Sequence, residues 1–292
     1  MTLDTDHHDL PLRLTAQLNP TADIRANGVG ACADGFVWVH NCPAARPTSR
    51  AVARGQCLCK TNPNPVEKSY RKMLKGVDLF ARQHGQSPNA ELRFKLLPRK
   101  RGTDMQAITL AVVGDTVDYL LPIAVDHSFS LPRNALALQE DAQVIPNRRA
   151  LSMTWRTDIR TPGLPPDTRR LGDLRLECKV GMEASLISNS SSLLGRLTSA
   201  ALDTPAYCDK TAPLYLFFAD RPLFSVTLVS GQRREALAVD NLYAAASYDT
   251  SMRDNLPYCD CEALVDRTYV LPLGDRSWPD DTLVEFEYMD GE

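Results

Sequence analysis

Two closely spaced pairs of thiols, Cys57-Leu58-Cys59 and Cys259-Asp260-Cys261, are the residues whose types and spacing point most directly to chemistry. Two thiolates one residue apart can both bind a soft metal ion, and Cys32 with Cys42 could complete a four-sulfur set. Zinc ribbons space their paired cysteines more widely, so disulfides to separate partners fit at least as well and no metal site or cofactor is expected. Cys178 and Cys208 bring the total to eight, an even number compatible with an oxidising compartment. Among Cys178, Cys208, Cys259 and Cys261 two bridges are expected. One of them would run from Cys208 to Cys259 or Cys261, although spacing does not fix connectivity.

Acid–base chemistry has few candidates. His7, His8 and His40 lie in an irregular stretch and His84 lies near a helix end, which leaves His127, beside Asp126, as the histidine placed in a strand-rich region. A general base needs an activating partner and none is signposted, so Asp126 and His127 read as polar turn residues, with an enzyme built on them as the alternative. Asp249, Asp254, Asp260, Glu262 and Asp266 offer oxygen ligands, but their spacing does not match an EF-hand loop and a solvated acidic segment is expected. Arg99-Lys100-Arg101 reads as a solvated hairpin turn that protects a sheet edge. There is no Gly-x-Ser-x-Gly, no glycine-rich phosphate loop and no His-Glu-x-x-His, which removes most of the weight from hydrolases and nucleotide-dependent enzymes.

The elements that must position these residues are mostly strands. Residues 1–64 show little periodicity, with Phe36-Val37-Trp38-Val39 as one strand lacking a visible partner. Over 65–90, Val66, Tyr70, Met73, Leu74, Val77, Phe80 and Ala81 recur at steps of three and four behind Pro65, which predicts an amphipathic helix. Then the period becomes two. Phe94 and Leu96, Leu110 and Val112, Tyr119 and Leu121, and Met153, Trp155 and Ile159 each mark a strand with one wet and one dry face, with Leu174, Leu176, Cys178 and Val180 sharing the last dry face. A connector with a short helix is expected over 182–205, and strands resume with Phe217, Phe224, Val226 and Leu228 and finally Val284, Phe286 and Tyr288.

Landmarks recur in order some 110 to 118 positions apart: Ile108-Thr109-Leu110 with Val226-Thr227-Leu228, Ala124-Val125-Asp126-His127 with Ala238-Val239-Asp240-Asn241, and Leu174-Arg175-Leu176-Glu177 with Val284-Glu285-Phe286-Glu287. The expected fold is therefore mainly β: two tandem immunoglobulin-like β-sandwiches, 91–181 and 206–292, behind an N-terminal amphipathic helix. With 33 basic against 36 acidic residues there is no overall field to hold nucleic acid, and no run approaches the length of a membrane span. The first ten residues carry Asp4 and Asp6 where an export signal would be basic and then apolar.

Pro122-Ile123-Ala124-Val125-Asp126-His127-Ser128-Phe129-Ser130-Leu131-Pro132 resembles the acidic turn and Phe-x-Leu strand of carboxypeptidase regulatory-like, or transthyretin-like, domains. Leu271-Pro272-Leu273-Gly274-Asp275-Arg276-Ser277-Trp278-Pro279 is similar to segments of uncharacterised envelope proteins of Gram-negative bacteria. The resemblance implies an accessory or binding module and supplies no catalytic residue. The expectation is a non-enzymatic binding or scaffold protein, periplasmic or secreted, engaging a protein or glycan through sandwich faces and loops. The alternatives are a cytoplasmic residence and a hydrolase or metal-dependent enzyme with active groups scattered on loops.

Overall fold

Leu174, Leu176, Cys178 and Val180 alternate as they would along a strand, yet they lie in a helix spanning Leu171–Glu183. The correction has a physical cause: a helix buried on every side has no water-facing stripe, so the period of three to four that betrays a surface helix is missing. Every residue from Leu171 to Met182 is buried. The charged residues between the apolar ones are buried as well, and each has a partner. Asp173 accepts from the Thr161 backbone N–H at 2.8 Å, Arg175 pairs with Asp280 at 2.6 Å, Glu177 with Arg169 at 2.7 Å and Lys179 with Asp209 at 3.2 Å. Such pairing is what permits charge to leave water.

The computed structural model describes residues 29–31, 37–39, 67–99, 102–148, 152–186, 204–210, 215–243 and 264–289. They form a mainly β protein of several antiparallel sheets and few helices. Residues 1–60 and 61–292 are separate units. In the first, β1 (Val29–Ala31) pairs antiparallel with β2 (Val37–Val39), Gly30 opposite Trp38. That supplies the strand partner which was not visible in the sequence, because a three-residue strand with a central glycine carries almost no pattern. The second unit holds everything that follows.

There β3 (Lys68–Ser69) leads into α1 (Tyr70–Gln83), inside the span expected to be helical. The start is set by Ser69, whose hydroxyl accepts from the Lys72 N–H at 3.3 Å, and not by Pro65. Tyr70, Met73, Leu74 and Leu79 are buried, whereas Ala81 is exposed. A Cβ on Gly76 would lie 2.9 Å from the Cβ of Ala184, so the crossing with the central helix requires glycine.

The first core lies between two sheets. One contains β3, β5 (Leu110–Val113), β6 (Asp118–Leu121) and β8 (Gln143–Pro146); the other contains β4 (Glu91–Pro98), β7 (Ser128–Phe129) and β9 (Met153–Arg160). Between β7 and β8 runs a short helix, α2 (Ala135–Gln139), and the central helix is α3. Phe94, Leu96, Leu110, Val112, Phe129, Val144, Met153 and Trp155 pack with Tyr70 and Met73, largely as the alternation predicts. β9 departs from it, being buried from Met153 through Ile159 with Arg156 and Asp158 included. Its polar face is covered too.

The second core contains β10 (Thr168–Arg170), β12 (Leu223–Ser230), β13 (Arg233–Ala236) and β15 (Leu283–Tyr288) in one sheet, in the order β10-β15-β12-β13. A pair formed by β11 (Phe217–Phe218) and β14 (Thr268–Tyr269) adjoins it. Phe224, expected to point inward with Val226 and Leu228, is exposed. The register against β15 shifts between Leu223 and Ser225, and this irregularity puts Leu223 in the core instead. The internal repeat does not hold throughout: Leu174–Glu177 is helical where its echo Val284–Glu287 is a strand.

The segment 271–282 is a clasp on α3. Arg175 donates to the carbonyls of Leu273, Asp275 and Trp278, and the N–H groups of Leu171 and Gly172 reach the carbonyls of Thr282 and Asp280. On its other side α3 is tied by a disulfide from Cys178 to Cys208, which sits in the turn Pro205–Asp209. Cys208 is thus joined to Cys178 and not to Cys259 or Cys261, since Cys178 faces the turn once residues 171–183 coil. Cys32, Cys42, Cys57, Cys59, Cys259 and Cys261 lie outside the described residues, as does the helix expected near residue 197. The bridge closes a loop with a sequence separation of 30. Replacing Cys178 and Cys208 together by alanine should lower the unfolding free energy by roughly 2 to 4 kcal/mol in the chain-entropy picture. Urea unfolding of the double variant checks this, and an unchanged midpoint would contradict it. Among the described residues no helix is long and apolar enough to cross a membrane.

Candidate functional site

The covered polar face of β9 opens onto a cavity of about 930 Å³. One wall is the β4–β9 pair, where Arg93 lies opposite Asp158 and Lys95 opposite Arg156. The turn before β7 closes one side with Ala124, Asp126, His127 and Ser128, and β11 with the residues after it forms the far wall with Phe217, Phe218, Ala219 and Asp220. Arg169 and Glu177 form its floor, and Leu264 and Arg267 its remaining edge.

A chain of ion pairs ties these walls together. Lys95 Nζ lies 3.7 Å from Asp126 and 3.5 Å from Asp220, linking the turn to the far wall. Asp220 accepts two parallel hydrogen bonds from the Arg160 guanidinium, both 2.9 Å, while Arg160 Nε donates to Asp158 at 2.8 Å. The fork geometry makes this the strongest kind of carboxylate–guanidinium contact. Burial raises the Asp220 carboxyl, but the Arg160 hydrogen bonds and charge, with Lys95 and Arg169, more than offset it and hold the group down to about 2. On the floor, Glu177 accepts from Arg169 and from the Ile159 N–H at 3.1 Å, and the Arg156 guanidinium lies over the Phe218 ring, 4.7 Å from its centre.

Of the residues singled out by sequence, Asp126 and His127 both reach this cavity, although they do not form a dyad. The Asp126 carboxylate accepts from the Ser128 hydroxyl at 2.7 Å and backbone N–H at 3.1 Å, and the His127 ring Nε2 lies 2.9 Å from the Met105 carbonyl. Burial would raise the Asp126 carboxyl; the Ser128 hydrogen bonds, with Lys95 and Arg93 nearby, hold it below its usual range. His127 has a φ of 62°, the left-handed region that favours glycine. Of the acidic stretch, Asp266 is exposed in the turn Val265–Arg267, and Asp249, Asp254, Asp260 and Glu262 lie outside the described residues. Arg99 donates its backbone N–H to the Ser152 carbonyl, Lys100 and Arg101 lie outside the described residues, and the His84 ring contacts the Ala90 carbonyl at 3.0 Å.

Arg93, Lys95, Arg156, Arg160, Asp158 and Asp220 were not anticipated as a site. For all but Asp220, which follows β11, the only signal was the run of charges on the wet faces of β4 and β9, which ordinarily means solvent. Among the described residues no three histidine, cysteine, aspartate or glutamate side chains are grouped to hold a metal ion. No family model, no curated protein and no solved structure matches this chain.

Proposed function

We propose that this chain is a non-enzymatic binding protein of the bacterial envelope or secreted space, and that its ligand, of the glycan class, occupies the cavity beside β9 rather than a sheet face. One observation carries the proposal: a half-open space of about 930 Å³, walled by hydrogen-bonding side chains and the Phe218 ring. That volume lies within the ~300–1,000 Å³ of sites for small organic ligands. Sugars are recognised by such mixtures of charged hydrogen-bonding groups and an aromatic face. The Cys178–Cys208 bridge supports an oxidising compartment. The two cores, and the 122–132 turn that resembles regulatory-like domains, support a tandem immunoglobulin-like or transthyretin-like ancestry.

Titration calorimetry with a panel of neutral and acidic saccharides tests the proposal. Saturable binding is expected, and Ala124→Trp, which adds bulk at the exposed rim, should weaken it by about tenfold, or ~1.4 kcal/mol. A panel without binding, or binding that ignores Ala124→Trp, rejects the cavity as the site.

A second reading, a hydrolase or metal-dependent enzyme, is favoured by the presence of Asp126 and His127 on the same wall. His127→Gly removes the imidazole while suiting the positive φ. Hydrolysis of ester or glycoside substrates by the native protein, abolished in this variant, would establish that reading.

A further inference from the structure

We infer that the cavity selects ligands carrying a compact oxyanion, a carboxylate or a phosphate, and that this group seats in a small recess beside it. The inference rests on the cavity being the binding site. The cations lining it are Arg93, Lys95, Arg156, Arg160, Arg169 and Arg267, against the carboxylates Asp126, Asp158, Glu177 and Asp220. The chain as a whole carries a net charge of -3, so this interior surface has the opposite sign to the molecule. Low-dielectric walls focus such an excess on whatever enters.

The excess has an address. Asp126, Asp158, Asp220 and Glu177 are taken up by Lys95, Arg160 and Arg169. Arg93 and Arg267 make their hydrogen bonds to neutral oxygens: Arg93 to the Ser128 hydroxyl at 2.7 Å and carbonyl at 3.2 Å, Arg267 to the Asp220 carbonyl at 2.8 Å.

Arg160, Arg169, Phe218, Ala219 and Asp220 line a second space as well, a recess of about 70 Å³ bounded also by Tyr269, Tyr288 and Asp167, whose carboxylate is paired with Arg221 at 3.1 Å. Tyr269 is fully buried and its hydroxyl has no hydrogen-bond partner among the described residues; the same holds for Nε of Arg169, which is 7% exposed. Two unfilled donors in one buried place ask for an acceptor. At about twice the ~30 Å³ share of a water molecule, the recess admits a carboxylate or phosphate group and leaves a sugar ring outside, against Phe218.

Glucuronate, glucose 6-phosphate and glucose, titrated separately into the full chain by calorimetry, test this. At least one acidic probe should bind about tenfold more tightly than glucose, as a charge-assisted hydrogen bond provides, and comparing the two identifies carboxylate or phosphate. Tyr269→Phe and Arg267→Gln should each remove most of that preference, bringing the ratio of acidic-probe to glucose affinity close to one, with Arg93→Gln replacing Arg267→Gln if the latter does not fold. Equal binding of all three probes overturns the oxyanion preference while cavity binding stands. Binding of none overturns both. An acidic preference untouched by Tyr269→Phe, Arg267→Gln and Arg93→Gln overturns the assignment to this recess and cation set.

Discussion

Arg169→Met should lower the unfolding free energy by about 3 to 5 kcal/mol at neutral pH, because it strands the Glu177 carboxylate in the interior. Both side chains are 8% exposed and sit 2.7 Å apart, so water cannot take over Arg169's part. The loss should also depend on pH, with a definite sign. Burial raises the Glu177 carboxyl above its ordinary value of 4.5, and Arg169 is the main influence opposing that rise. With Arg169 gone, the folded chain holds the Glu177 proton at pH values where the unfolded chain has released it. A carboxyl raised in this way favours folding most below its unfolded value, and the advantage disappears as pH climbs through the folded value. Urea unfolding of the variant at about pH 5 should therefore show a smaller deficit than at about pH 8. Adding Glu177→Leu should restore much of the loss, since an apolar pair needs no charge compensation. A deficit below about 1 kcal/mol, or one that ignores pH, would show that water reaches this floor.

Trp155→Ala should cost about 3 to 5 kcal/mol, the range for removing a large aromatic ring from a well-packed interior. Trp155 is fully buried, and its ring stands edge-on to Phe129 with centres 6.0 Å apart. Trp155→Phe distinguishes packing from hydrogen bonding. The indole N–H has no hydrogen-bond partner among the described residues, so the smaller ring keeps most of the apolar contact and loses no bond. The phenylalanine variant should accordingly lie within about 2 kcal/mol of the native protein. Guanidinium unfolding measures both, and an unchanged midpoint for Trp155→Ala would remove β9 from the core.

The site was legible only in fragments. Asp126 and His127 stood out because the other histidines fall in the irregular N-terminal stretch or near a helix end, and both line the cavity. Arg156, Asp158 and Arg160 sat in plain view as the wet positions of β9, where they read as solvent-facing. The cavity they line also draws on residues from 93 to 128 and from 217 to 267, segments with no local pattern in common.

The sequence by itself determined where Phe94, Leu96, Leu110, Val112, Trp155, Val226 and Val284 would be buried and where α1 would form. In these elements one face meets the core and the other meets water, or something as polar, and that contrast is written into the residue order as a period. Tertiary structure decided the rest. It coiled 171–183 into a helix surrounded on all sides, turned Phe224 outward through one irregularity in register, joined Cys208 to Cys178, and laid a second layer over the charged face of β9. A local period records whether a face is apolar or polar; whether a polar face meets bulk water or an enclosed, charge-paired cavity depends on chain segments far away in sequence.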